Sequence, residues 1–482
     1  MAISSTGIGS GLDINSIVSQ LVAVEQQPIK LLQAKVSTLQ TKMSAFGQVK
    51  SELSALQDAA SALMSSATWN GMSFSSGNAS ALTGTATSTA VPGSHSVTVN
   101  NLVTAQTLKS AAITSGSAMG ASGTLTFYTG YYNTDSPSKF VSSGASDTVS
   151  VSATDTLADV VTNINAKSST LGVTASIVTT SGKQQLVIRG NSTGANAAFQ
   201  VDASSGLEQL RYMPSNIVDS SGTAIASSAT SAQDMTYGQL AADASVTIDG
   251  ITVTSSTNTV SDALSGVTLN LLTPTTTPTQ ITIATDKATM KAKIQAFQDA
   301  YNTLYADLKT QTAYDSTTKT GGPLLGDNTA NSVQNMLRTL VGAAGPSSST
   351  LGRLSDLGLE IQKDGSLKTN ASKLDAALQN PTNVKNFFST ITGTANGNGI
   401  AKRVYDFAFG ALGVGGSVSG HSTAFQKSID QNNATIDKFN DHITAYRKQL
   451  LAQYTALDTN MAKLNSLSTY VSQQVTTWNK SG

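Results

Sequence analysis

Apolar residues along this chain keep two different rhythms. Near the N-terminus Ile14, Ile17, Val18, Leu21 and Val22 recur at helical spacing, with Asn15, Ser16, Ser19, Gln20 and Ala23 on the opposite face. Asp13 is placed to cap this helix, and Pro28 limits its far end. From Leu32 the apolar positions run Val36, Leu39, Met43, Phe46, Val49, Leu53, Leu56, Ala60 and Leu63. Steps of four and three alternate, with one extra three-step at Phe46 to Val49. This is a heptad pattern with a stammer, where a coil is locally overwound. The C-terminal pattern is stricter: Ile429, Ile436, Ile443, Leu450, Leu457, Leu464, Val471 and Trp478 lie seven apart. Phe439, Tyr446, Tyr454, Met461, Leu467 and Val475 supply a second seam. No Gly or Pro interrupts His421 to Ser481, so a helix there would be about 90 Å long. It reads either as one helix of an ordinary bundle or as an extended coiled coil between chain ends or subunits.

Between these ends the period drops to two. From about Ser73 to Thr285 short alternating runs read as half-buried strands: 95–102, 147–153, 173–180, 184–190, 245–255 and 280–286. TLADVVTNI (156–164) and TVSDALSGV (259–267) share a T-x-x-D start, a capping-box-like signal predicting a short helix in each. A Gly-Val-Thr at 172–174 and at 266–268 then opens a strand. Two units of like design predict two insert domains. Helical spacing returns after 286 with Met290, Ile294, Phe297, Tyr301, Leu304 and Leu308. Asp327 is placed to cap a helix within 322–341. Asp364-Gly365, inside LEIQKDGSLKTN (359–370), predicts a hairpin with a two-residue turn.

The pattern therefore predicts an α+β multidomain fold. Its terminal helices form a coiled-coil or helical-bundle base and leg, and two β-rich insert domains occupy the middle of the chain. The expected divisions are leg helices at 1–45 and 440–482, partly disordered when unassembled, and a helical bundle with a small hairpin at 46–72 and 286–439. A β-rich insert follows at 73–110 and 240–285, with an outer β-rich insert at 111–239.

Composition narrows the partners. The 29 basic residues balance 29 acidic ones, so no net field draws the chain to nucleic acid or to an acidic membrane surface. Charged residues make up 12%, about half the usual fraction near 25%. Ser, Thr, Asn and Gln take their place. No run of 18 apolar residues suits a membrane span. Cysteine is absent, which removes disulfides and thiolate metal sites. That absence suits a protein exported as an unfolded thread, and equally a cytosolic protein without thiols.

Candidate chemistry fails on context. GIGSGL (7–12) lacks a preceding strand, a third glycine and a P-loop Lys, so it is no nucleotide loop. The first positive charge is Lys30, so it is no secretory signal either. It reads as an uncharged leader. Gly190-Asn191-Ser192-Thr193-Gly194 matches G-x-S-x-G after a strand, but a loop or strand, not a helix, is expected to follow. It reads as a turn. His95, His421 and His442 have no ligand-spaced partners, and no calcium loop occurs. The reading is non-enzymatic, with no catalytic residue, metal or cofactor.

SGLDINSIVSQLVAVEQQPI (10–29), GPLLGDN (322–328), LGLEIQKDGSLKTNASKLDAAL (357–378) and YTALDTNMAKLNSLSTYVSQQ (454–474) resemble the flagellar filament cap family, hook-associated protein 2. The order of elements matches along the whole chain, while the β-rich middle resembles the family only in style. The resemblance implies an extracellular structural cap at the distal tip of the bacterial flagellum, secreted by the flagellar type III route without a cleaved signal. Implied partners are the chain itself in a homo-oligomeric ring (a pentamer favoured, other sizes open), flagellin, the export apparatus and a cytoplasmic export chaperone. On this reading Ile14, Ile17, Leu21, Leu450, Leu457, Leu464, Val471 and Trp478 mark the assembly helices. The alternative is an exposed tip adhesin whose β-rich domains bind host glycans or mucin.

Overall fold

In the computed structural model, residues 13–134, 138–144, 146–394 and 397–480 are described. The leader at 7–11 lies outside them. In chain order the helices are α1 (Ile14–Glu25), α2 (Gln27–Met64), α3 (Ser66–Asn70), α4 (Leu157–Ala166), α5 (Ser168–Leu171), α6 (Lys287–Thr312), α7 (Asn328–Gly342), α8 (Leu354–Leu357), α9 (Ala371–Ala377), α10 (Pro381–Ser389), α11 (Ile400–Leu412) and α12 (Ser417–Lys480). The chain divides into two compact units, 1–69 with 287–482, and 70–286. Helical termini around a β-rich middle give the α+β architecture that the two rhythms predict.

The helical unit is built on α2 and α6. Phe46, Val49, Leu53, Leu56 and Leu63 of α2 meet Met290, Ile294, Phe297, Tyr301, Leu304 and Leu308 of α6 in one buried cluster. Phe387 and Phe388 of α10 and Val404 of α11 complete it. Asp327 caps α7 as predicted, its carboxylate accepting from the N–H groups of Thr329 (2.9 Å) and Ala330 (3.1 Å). The hairpin at Leu359–Ile361 and Leu367–Thr369 is present, but its loop differs from expectation. Gln362 N donates to Ser366 O, leaving three loop residues, Lys363 to Gly365, with Gly365 left-handed at φ 91°. A single left-handed glycine closes this longer loop, whereas a two-residue turn would need Asp364 left-handed as well.

Across its surface α12 is clad in hydroxyl groups. Thr423, Thr435, Thr444, Thr455, Thr459, Ser466, Thr469 and Thr476 each donate to the carbonyl four residues back. Such bonds satisfy a polar side chain on the helix itself, without a neighbour.

The β-rich unit holds two principal cores. One lies between a five-stranded antiparallel sheet, ordered 72–76, 279–285, 93–101, 244–248, 251–255, and a three-stranded sheet of 259–264, 267–271 and 82–86. Leu82, Val97, Val99, Val246, Val260, Leu269 and Ile281 fill it. The other draws on residues 108–235, where α4 buries Leu157, Val160 and Ile164 against Leu125, Val173, Leu186 and Val201. Asp249-Gly250 makes a tight hairpin, both residues at positive φ (48° and 86°). Asp249 also accepts from Ser96 N at 2.8 Å and bonds the His95 ring at 2.7 Å.

The predicted pair of capped helices is half right. At Thr156 the capping box forms and α4 follows. At 259–264 the chain is a strand instead, paired with 267–271. Asp262 there sits at φ 62°, in a bulge, and caps nothing. A helix this short is marginal without tertiary support. Pairing buries Val260, and Gly266 at φ 71° turns the chain directly into its partner strand.

Candidate functional site

The features that distinguish this chain lie on its terminal helices. Asp13 caps α1 by accepting from Ser16 N at 3.0 Å, and Pro28 stands in the first turn of α2, so the helix is broken there as expected. Ile14, Val18, Val22 and Ile29 are buried against Ile443 and Leu450 of α12, with Ile436, Phe439, Tyr446, Leu451 and Tyr454 partly covered around them.

The pairing is antiparallel with a fixed register. Glu25 stands 3.9 Å from His442, and the ring centroids of Phe46 and His421 are 4.8 Å apart. Twenty-one residues separate the two contacts along each strand of the pair. Continued one for one, this register sets Ile14 opposite about residue 453 of α12.

The named assembly positions therefore divide. Ile14 and Leu450 are buried in one cluster, at 1% and 7% exposure. Ile17 is half-buried, and Leu21 lies on the outer flank with the exposed Val24 and Leu31. Beyond about residue 453, past the described part of α1, the seam residues are exposed: Leu457 is 45% exposed, Leu464 59%, Val471 50% and Trp478 73%. Leu467, Tyr470 and Val475 are exposed beside them. Val18, Val22 and Ile443, which the site reading left out, are buried in the same cluster as Ile14. Their helical spacing was visible, but only the interhelical register separates covered from uncovered heptads.

The base of the pair is fixed at one node. His421 of α12 bonds Asp327 at 2.8 Å, the same carboxylate that caps α7, and its ring lies against Phe46 and Phe425. The signature GPLLGDN thus ties the start of the long helix to the bundle. On α2, Glu52 faces a less satisfied environment: burial chiefly, and Asp307 of α6 as well, push its carboxyl above the usual carboxylate range, against a hydrogen bond from Gln48.

No catalytic arrangement forms around the G-x-S-x-G match. Ser192 is exposed in a turn between the strands 183–190 and 198–203, and Thr193 donates to Ser256 O. Among the described residues no group of three or more His, Cys, Asp or Glu could hold a metal. Among them, too, no helix is long and apolar enough to cross a membrane. The β-rich unit holds an aromatic cavity of about 450 Å³ whose lining includes Tyr132, Tyr212 and Tyr237.

Residues 241–466 match the family described as the flagellar hook-associated protein 2 C-terminus, and 10–106 match its N-terminus. Residues 139–194 match the flagellin hook IN motif. The chain is 32% identical over 490 residues to the A-type flagellar hook-associated protein 2 of Pseudomonas aeruginosa, covering 98% of each. It is 28% identical over 488 residues to the Escherichia coli K12 flagellar hook-associated protein 2, again covering 98% of each. Its fold resembles the crystal structure of the flagellar cap protein FliD D1-D2-D3 domains from Escherichia coli, at TM-score 0.54 and 26% identity. That match covers 79% of this chain and 99% of that one.

Proposed function

The chain belongs to the flagellar hook-associated protein 2 family, and on that premise we propose that it caps the distal tip of the flagellar filament. It works as a homo-oligomeric plate that retains exported flagellin and promotes its insertion and folding. The 73–110, 240–285 and 111–239 segments form the plate, and the helical bundle carries legs made of α1 and the distal part of α12. A pentamer is the favoured ring. The chain reaches the tip through the flagellar type III apparatus, escorted by a cytoplasmic chaperone. The adhesin alternative has no support in the relatives and is not carried forward.

One observation carries the reading: among the described residues, the heptad stripe on α12 outruns the α1 helix that covers it. Leu457, Leu464 and Val471 continue the spacing of Ile443 and Leu450 yet stand about half exposed. A full burial of each such side chain is worth roughly 1.5–3 kcal/mol, so a helical partner that completes the seam gains much of it. Flagellin is the partner in this proposal. A seam that is only partly preformed also permits release, because ordering opposes part of the contact energy. A cap that stays attached while subunits pass beneath it needs both.

The test is localisation with function. Labelled protein should sit at filament ends, purified protein should form rings in micrographs, and its deletion should release unassembled flagellin into the medium. Label distributed along the filament, with normal growth in the deletion strain, would refute the cap reading.

A further inference from the structure

The aromatic cavity of the β-rich unit is uncharged and partly built. Tyr132, Tyr212, Pro214, Ser215, Tyr237 and Leu240 line it together with two alanines, and its volume of about 450 Å³ falls in the ~300–1,000 Å³ range of binding clefts. Its back wall is fixed. Gln200, wholly buried, donates from Nε2 to the Tyr132 hydroxyl at 3.3 Å. Its rim is open: Tyr237 is 57% exposed and Leu240 45%. An uncharged cleft of tyrosines and a proline suits an extended, proline-bearing segment, which docks through flat ring contacts.

The same unit carries such a segment. Leu272-Thr-Pro-Thr-Thr-Thr-Pro278 has no charge, and Leu272, Pro274, Thr276 and Pro278 are exposed. Thr273 and Thr277 each precede a proline, which restricts them to extended backbone. Thr275 anchors the loop to its own sheet: its N–H donates to Val99 O at 2.8 Å, and its hydroxyl accepts from Val99 N at 3.0 Å. A segment held this way loses little freedom on docking. Within one chain none of its residues lines the tyrosine cavity.

We propose that the tyrosine cavity of one copy takes the 272–278 segment of a second copy. Cavity and segment are different patches, so the contact is head-to-tail, the kind that closes into a ring when its rotation permits. The inference rests on the oligomeric cap reading and names the surfaces that join its subunits.

The absence of cysteine makes the test clean. Full-length Tyr237→Cys and Thr276→Cys chains, each altered at an exposed position, are mixed under mild oxidation. Disulfide-linked heterodimers should form in the mixture and exceed the homodimers of either chain alone. The double variant should give a ladder of covalent oligomers. Tyr237→Ala, or Pro274→Ala with Pro278→Ala, should raise the concentration needed for assembly about thirtyfold or more, the scale of one interface hot spot. Rings that form without the mixed disulfide, and equally well from Tyr237→Ala chains, would overturn the inference and leave the cap reading standing. Should wild type form no ring, a synthetic peptide of residues 271–280 decides. Saturable binding to the full chain, lost in Tyr237→Ala, supports the assignment. No binding, or binding of a glycan in place of the peptide, overturns it.

Discussion

Replacing Leu457 and Leu464 together by Asp probes the open seam directly. Both side chains are about half exposed in the single chain, at 45% and 59%. Each therefore has roughly half of its burial still to gain, about 0.7–1.5 kcal/mol, or about 1.5–3 kcal/mol for the pair. That is about a 10- to 100-fold loss of affinity per leg from the missing apolar contact alone. An unpaired carboxylate pressed into the seam adds to the loss. The isolated chain should hardly notice. Exposed substitutions typically stay within about 0.5 kcal/mol, with some helix propensity lost at each site. Leu450→Asp is the contrasting control. At 7% exposure it sits in the α1–α12 cluster, and charging it should release α1 even without any partner.

The assay has two arms. Urea unfolding and circular dichroism of purified protein report the single chain, and secreted monomeric flagellin reports capping in cells. The double variant should unfold like wild type while flagellin leaks into the medium. Normal filaments from the double variant would refute the seam argument. A bundle that melts in the double variant would show instead that Leu457 and Leu464 support the monomer.

Other outcomes follow from the same structure. Asp327→Ala removes the α7 cap and the partner of His421, so the urea midpoint should fall by an amount equal to about 1–2 kcal/mol, with Asp327→Asn recovering most of it. Glu52 titrates above its unfolded range, so its contribution is complete at acid pH and is lost as pH rises from the usual carboxylate range through the raised value. Glu52→Gln should abolish that fall, and urea midpoints from mildly acidic to alkaline pH would check it. Amide exchange should be slow from Met290 to Leu308 in α6 and fast beyond Leu457 in α12, since only the former is enclosed by the core; protection beyond Leu457 in a monomer would contradict the uncovered seam.

Local signals were legible wherever one residue type does one job. Asp327 and Thr156 cap helices, and Asp249-Gly250 turns a hairpin, because each acts within a few residues of itself. Gly172 and Gly266 both take left-handed backbone before a strand, so the Gly-Val-Thr signal was sound in both copies. The T-x-x-D at 259 failed because a cap only permits a helix. Pairing with 267–271 and 82–86 offered Val260 a core that an isolated turn of helix could not. The terminal helices were legible as amphipathic stripes, yet where cover ends on α12 was not. That limit depends on α1 and α12 running antiparallel in one register, a relation between residues more than 400 apart in sequence.

The hydroxyl cladding of α12 bears on where such a helix can work. Its threonines and serines turn back on their own backbone, and from Leu457 to Lys480 only Asp458, Lys463 and Lys480 carry charge. A grip made by apolar residues on so neutral a rod owes little to electrostatics. Between dilute fresh water and brine the Debye length falls from about 30 Å to about 3 Å, which progressively weakens surface ion pairs. An apolar seam with so few charges along it should therefore vary less with the salinity of the water than a seam held by ion pairs.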